Sequence, residues 1–235
     1  MQRRNGEGRS GCGVGRGAGY RRAPERAPPS NCHYIDHDRY IPRLRELSGA
    51  IHVHGAHAIL QLLHAGSRHE GEEEALAASD WLEPEFPGGK LPRAATADEI
   101  QRIKDCFVEA VVRAEQAGFR GVEISSSASH FLPTFLNQLW NQREDAYGPQ
   151  SLENRARLMC EIIREARDRV GEAFNVGVMM NVLQSMPGGL NYEESIGIAR
   201  LFEAAGAAYI HGRTFIFFSA ATLLAGTGIS PGAVG

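Results

Sequence analysis

Two groupings of residues in this sequence invite a chemical reading. Gly6, Gly8 and Gly11 have the G-x-G-x-x-G spacing of a phosphate-cradling turn. That turn works only between a strand and a helix. Here the neighbours are rich in Gly and Arg, with no strand pattern before them and no helix pattern after, so the match reads as chance. His52, His54 and His57, with His64 and His69 nearby, raise a metal site. No Cys or carboxylate stands at ligand spacing, and His52 and His54 fall where a helical pattern ends, so no metal is expected. One single residue also stands out in the pattern. Gln61 places an amide, both donor and acceptor, inside the apolar run His57 to Leu63.

The elements that must position these residues are legible as a rhythm. Ile41, Leu44, Leu47 and Ile51 recur at helical spacing, with Pro42 in the first turn, where it is tolerated. His57 to Leu63 reads as a strand, and residues 66 to 95 as a long polar loop of the kind that is usually functional. Thr96 and Glu99 form a capping-box pattern opening a helix buried along Ile100, Ile103, Phe107, Val111 and Ala114 and closed by Gly118. A strand, Gly121 to Ile124, follows. Ser151 opens a second such helix, Val176 to Asn181 is the next strand, Asn191 and Glu194 cap a helix ending at Gly206, and Ala208 to His211 is a fourth strand. Strands alternating with helices indicate βαβ units and a parallel sheet. Periodicity alone leaves a (β/α) barrel and an open doubly wound sheet equally available.

Composition sets the outer limits. The chain has 235 residues, 43% of them hydrophobic, and a net charge of -3, which gives no field to draw in nucleic acid or an anionic membrane. Its four cysteines are widely spaced without a CxxC pair, which argues against a disulfide framework and fits a reducing, cytoplasmic setting. No apolar run is long enough for a spanning helix. Residues 1–38 form a Gly/Arg/Pro-rich tail that buries too little apolar surface to offset ordering entropy and is expected to be disordered. Residues 39–212 carry the folded pattern, and 213–235 form an unmatched apolar tail.

Longer strings narrow the fold. Ala117-Gly-Phe-Arg-Gly-Val-Glu-Ile124, Phe135-Leu136, Asn141-Gln-Arg-Glu-Asp-Ala-Tyr-Gly148 and Ser151-Leu-Glu-Asn-Arg155 closely resemble the Old Yellow Enzyme family, which includes the NADH:flavin oxidoreductases and 2,4-dienoyl-CoA reductases. Leu60-Gln-Leu-Leu-His-Ala-Gly66, Val176-Gly-Val178 and Pro187-Gly-Gly-Leu190 extend the likeness over residues 39 to 212. The resemblance implies an α/β fold, a partial (β/α)8 TIM barrel comprising about strands 3–6. The first two strands and the last two, which carry the flavin phosphate site, find no counterpart here. A chain truncated at both ends is therefore expected, with a homo-oligomer covering its open sheet edges.

By the same resemblance the cofactor is FMN, with NAD(P)H as reductant, and the reaction is hydride transfer from flavin to a small electron-poor alkene. Gln61 takes the place of the family's flavin-edge glutamine. Ser125 and Ala128 stand where a pair of residues usually polarises the substrate carbonyl, and of these only Ser125 can donate. His130 stands where a tyrosine usually delivers a proton. Met179 replaces an arginine that faces the flavin pyrimidine, and Asn181, two residues on and on the same strand face, is a candidate hydrogen-bonding substitute. Asn141 to Arg155 is expected to be a structural loop of charge-assisted hydrogen bonds. The alternative is a flavin-free, non-catalytic barrel fragment acting as an interaction protein or a truncated gene product.

Overall fold

The computed structural model describes residues 14–15, 34–66, 74–80, 91–128, 130–184 and 188–215. Most of the expected N-terminal tail, and the C-terminal tail from residue 216, lie outside the described residues. The elements run β1 (Val14–Gly15), a 3-10 turn (Asp38–Tyr40), α1 (Ile41–His52), β2 (Ile59–His64), β3 (Leu76–Ala77), β4 (Arg93–Ala94), α2 (Ala97–Gln116), β5 (Gly121–Ser126), α3 (Phe131–Leu136), α4 (Leu152–Val170), β6 (Asn175–Gln184), α5 (Tyr192–Ala204) and β7 (Ile210–Phe215).

The helices begin where side-chain chemistry supplies the missing acceptors. Thr96 Oγ1 accepts from Glu99 N at 3.3 Å, while Glu99 Oε2 accepts from Thr96 N at 2.9 Å. Asn191 and Glu194 repeat the arrangement at α5, at 2.9 and 3.3 Å, and Ser151 Oγ accepts from Asn154 N at α4. Gly118 ends the α2 turn with φ of +80°, a conformation that costs glycine little.

Strands β2, β5, β6 and β7 are parallel and adjacent in chain order. A doubly wound sheet would reverse order at a switch point. Among the described residues the order never reverses, and helices α2, α4 and α5 share one core with the strands. Leu60, Leu62, Val122, Ile124, Val176, Val178, Met180 and Ile210 join a single core with Phe107, Val111, Ile162, Ile163, Ile198 and Phe202 of the helices. Each large side chain buried there contributes about 1.5–3 kcal/mol. The alternate residues of the same strands face away from the helices, as the interior of a (β/α) barrel requires.

Five sequence expectations change in detail. Val14–Gly15 pair antiparallel with Leu63 and His64, although that stretch read as disordered. Backbone groups along the edge of β2 suffice for such pairing and demand no apolar side chains. The loop from 66 to 95 contains two short parallel strands, β3 and β4. Helix α3 follows β5 unforeseen, because its residues Phe131 to Leu136 are all buried and show no amphipathic period. β5, β6 and β7 also run further toward their C-terminal ends than their apolar residues indicated. Cys106 on α2 is disulfide-bonded, against the expectation of unpaired thiols, whereas Cys160 is a free, buried thiol.

Candidate functional site on the inner face of the sheet

Strand parity decides which side chains meet. Register places Gln61 beside Glu123, Ser125 beside Met179, Met179 beside His211 and Asn181 beside Arg213. All project to the face turned away from the helices. Gln61 Nε2 donates to Glu123 Oε1 at 2.8 Å and lies 3.9 Å from Met179 Sδ. His211 Nδ1 lies 3.1 Å from Glu123 Oε2. Burial, together with the nearby Glu123 carboxylate, pushes the Tyr209 hydroxyl up to about 12. The Tyr209 ring lies against Gly177, where any Cβ would collide with it.

One layer nearer the C-terminal ends, Ser125 Oγ and Ser127 Oγ are 3.2 Å apart, and Ser127 Oγ donates to Met179 Sδ at 3.2 Å. Ser125, Ser127 and Asn181 are buried. Asn181 uses both ends of its amide on one residue. Its Oδ1 accepts from Ala128 N and its Nδ2 donates to Ala128 O, each at 3.3 Å. Ala128 has φ of +56°, the left-handed region that a Cβ disfavours, and it is alone in this among the described non-glycine residues. Asn181 therefore braces a strained turn between β5 and α3.

His130 is the N-cap residue of α3 and sets its Nδ1 3.0 Å from the Ser127 carbonyl. A carbonyl only accepts, so Nδ1 carries the hydrogen. The loop leaving β2 reaches the same place. Gly66, at φ of +59°, approaches so closely that a Cβ on it would lie 2.7 Å from Phe131 Cα. The fold thus brings Gln61, Ser125, Met179 and Asn181 together on one face, with His130 at the rim beside Ser127.

Glu123, Tyr209 and His211 were not anticipated as site residues. A signal for Glu123 existed: it is a carboxylate inside an otherwise apolar strand, with the same parity as Ser125. For His211 only the strand register could have shown the pairing.

The segment after α3 does structural work. Arg143 Nη1 donates to the carbonyls of Ala78 (3.0 Å) and Ala95 (2.7 Å), tying β3 and β4 to the barrel, and Arg143 also pairs with Asp145. Asn141 Nδ2 donates to Phe135 O and Tyr147 O. Buried Arg155 joins Leu136 O (3.0 Å) to Glu194 (2.7 Å). An open cleft lined by Ser79, Asp80, Arg143 and Asp145 holds none of the candidate residues.

The inner face suits the polar edge of a flavin ring. Gln61 Oε1 accepts no hydrogen bond among the described residues, while its Nε2 is engaged by Glu123. Ser125 and Ser127 add hydroxyls on the same side, and Met179 offers a soft, polarizable surface.

Known proteins agree with this geometry. Residues 27–219 match the model of the NADH:flavin oxidoreductase / NADH oxidase family. The NADH oxidase of Thermoanaerobacter brockii is 33% identical over 197 residues, covering 81% of this chain and 29% of that protein. An NADPH dehydrogenase of Halalkalibacterium halodurans is 40% identical over 128 residues, covering 54% of this chain and 37% of its own length. Among solved structures, a 2-naphthoyl-CoA reductase complex superimposes with a TM-score of 0.70 at 28% identity, over 77% of this chain and 30% of that one. Morphinone reductase does so with a TM-score of 0.66 at 27% identity, over 76% and 53%. The chain spans 20% to 48% of the length of the curated relatives it matches over most of its own sequence. FMN with NAD(P)H as reductant is the cofactor set of this family. Four consecutive strands of a TIM barrel, their polar inner face and the match over residues 27–219 place this chain in the NADH:flavin oxidoreductase / NADH oxidase family.

Proposed function

We propose that the protein is an FMN-dependent NAD(P)H oxidoreductase that reduces an electron-poor alkene. The observation that carries the reading is the Gln61 amide, fixed on the inner barrel face with its carbonyl oxygen left to a ligand. When bound, FMN would supply the hydride. The chain's own residues do the rest. Gln61 would hold the N–H and carbonyl edge of the ring, with Met179 beside it, and Asn181 holds the β5–α3 turn through Ala128. Ser125, whose hydroxyl hydrogen points to Ser127 in the free chain, turns that hydrogen to the substrate carbonyl and polarises it. His130, as the imidazolium with Nδ1 held toward the Ser127 carbonyl, delivers a proton from Nε2 to the α-carbon.

The test is direct. Purified protein titrated with FMN should quench flavin fluorescence and show a bound-flavin absorbance spectrum. A chain that neither carries nor takes up FMN would be the non-catalytic barrel fragment instead. If FMN binds, His130→Phe is expected to slow alkene reduction by about 10²-fold or more, the contribution of one general acid, while flavin reduction by NAD(P)H stays close to wild type. Stopped-flow measurement of the two half-reactions separates these outcomes, and unchanged alkene turnover would remove His130 from the mechanism.

A further inference from the structure

We infer that Glu123 is a positioning residue that fixes which end of the Gln61 amide meets the ligand. The inference rests on the FMN reading above and adds a residue to it. Glu123 is 9% exposed and sits on the inner barrel face. Two donors converge on its carboxylate from two other strands: Gln61 Nε2 from β2 at 2.8 Å and His211 Nδ1 from β7 at 3.1 Å, with Tyr209, just ahead of β7, close by. That geometry requires an acceptor, not a donor, at position 123.

An amide bonded to an acceptor through its nitrogen must turn its oxygen the other way. Rotation of the Gln61 amide by half a turn would bring two acceptors face to face at 2.8 Å and leave the nitrogen without its partner. Oε1 of Gln61 accepts nothing among the described residues, so the pair presents one preset acceptor to whatever lies on this face. For a flavin ring edge, such an acceptor selects the N3–H donor. Preorganisation matters here because an amide free to rotate would offer donor or acceptor indifferently and would lose rotamer freedom on binding.

The experiment uses the full chain and 15N-labelled FMN. In the wild type the N3–H proton of bound FMN should appear downfield of its position in free FMN and exchange slowly with solvent. In Glu123→Gln, whose side chain can itself donate to Gln61, that signal should move back toward the free position. The dissociation constant should rise about tenfold, the equivalent of roughly one hydrogen bond. Glu123→Ala is the second variant; it also removes the acceptor and should act in the same direction, and far-UV circular dichroism reports whether each variant is folded. Gln61→Leu marks the value expected when position 61 offers nothing. The inference is overturned if wild-type bound FMN shows no shifted N3–H signal, or if a folded Glu123 variant keeps the wild-type signal while Gln61→Leu loses it. Failure of the parent reading looks different: wild-type protein then binds no FMN at all, and the role assigned to Glu123 falls with it.

Discussion

Asn181 and Ala128 show how a single side chain can set the shape of a site loop. The left-handed turn at Ala128 costs about 1–2 kcal/mol relative to the usual backbone basins, and the two amide bonds from Asn181 offset it. Asn181→Ala should therefore destabilise the protein by about 1–2 kcal/mol, one net hydrogen bond being worth roughly 1. Adding Ala128→Gly should recover part of that loss, since glycine accepts a positive φ without strain. Urea denaturation of the single and double variants measures both effects. Glu99 gives a pH-dependent case. The Arg93 guanidinium, helped by the Thr96 backbone and hydroxyl, draws its carboxyl down from 4.5 to about 2. A depressed folded-state value contributes stability that is complete above about pH 4.5 and is lost as pH falls toward 2. The stability difference between wild type and Glu99→Gln should accordingly shrink across that window in acid titrations followed by circular dichroism.

Helix α4 and the loop before it carry the pattern most diagnostic of family, and the contacts explain why those residues are not the chemistry. Arg155 sits 3% exposed on the buried side of α4, bonded to the last carbonyl of α3 and to Glu194 in the first turn of α5. It locks three helices at fixed separation. Arg155→Met should cost about 3 kcal/mol, because the Leu136 carbonyl and the Glu194 carboxylate both lose a charged donor. Glu194→Gln should cost less, since its side chain is 20% exposed and water can replace part of the pairing. Chemical denaturation of the two variants checks the order. Among the helices, α1, α2, α4 and α5 were legible because caps and apolar stripes are written locally. α3 was not, because a short helix buried on every side carries no period.

At the scale of the molecule, β7 pairs on one side only among the described residues, and β2 meets only two residues of β1 on its outer edge. Unpaired strand edges template pairing with other chains. Self-association is the expected outcome: sedimentation velocity should show a mean mass above the 25.6 kDa of one chain that rises with loading concentration. A single concentration-independent monomer species would contradict it. The polar inner face also depends on this scale. Gln61, Glu123, Met179 and His211 come from positions 61 to 211 of the sequence, and only four parallel strands in unbroken order place them in contact.

The amino-acid sequence by itself determined the alternation of strands and helices, the helix caps, and the strings that identify the family. Each of these depends on neighbours within a few residues, so local physics suffices. It also singled out Gln61, Ser125, His130, Met179 and Asn181 as candidates. Only the tertiary structure decided that Asn181 braces Ala128, that His130 turns Nδ1 to Ser127, and that Glu123 gathers donors from two neighbouring strands. Register fixes those contacts, and register is set by how whole strands pack between the helical layer and the barrel interior, not by any one segment.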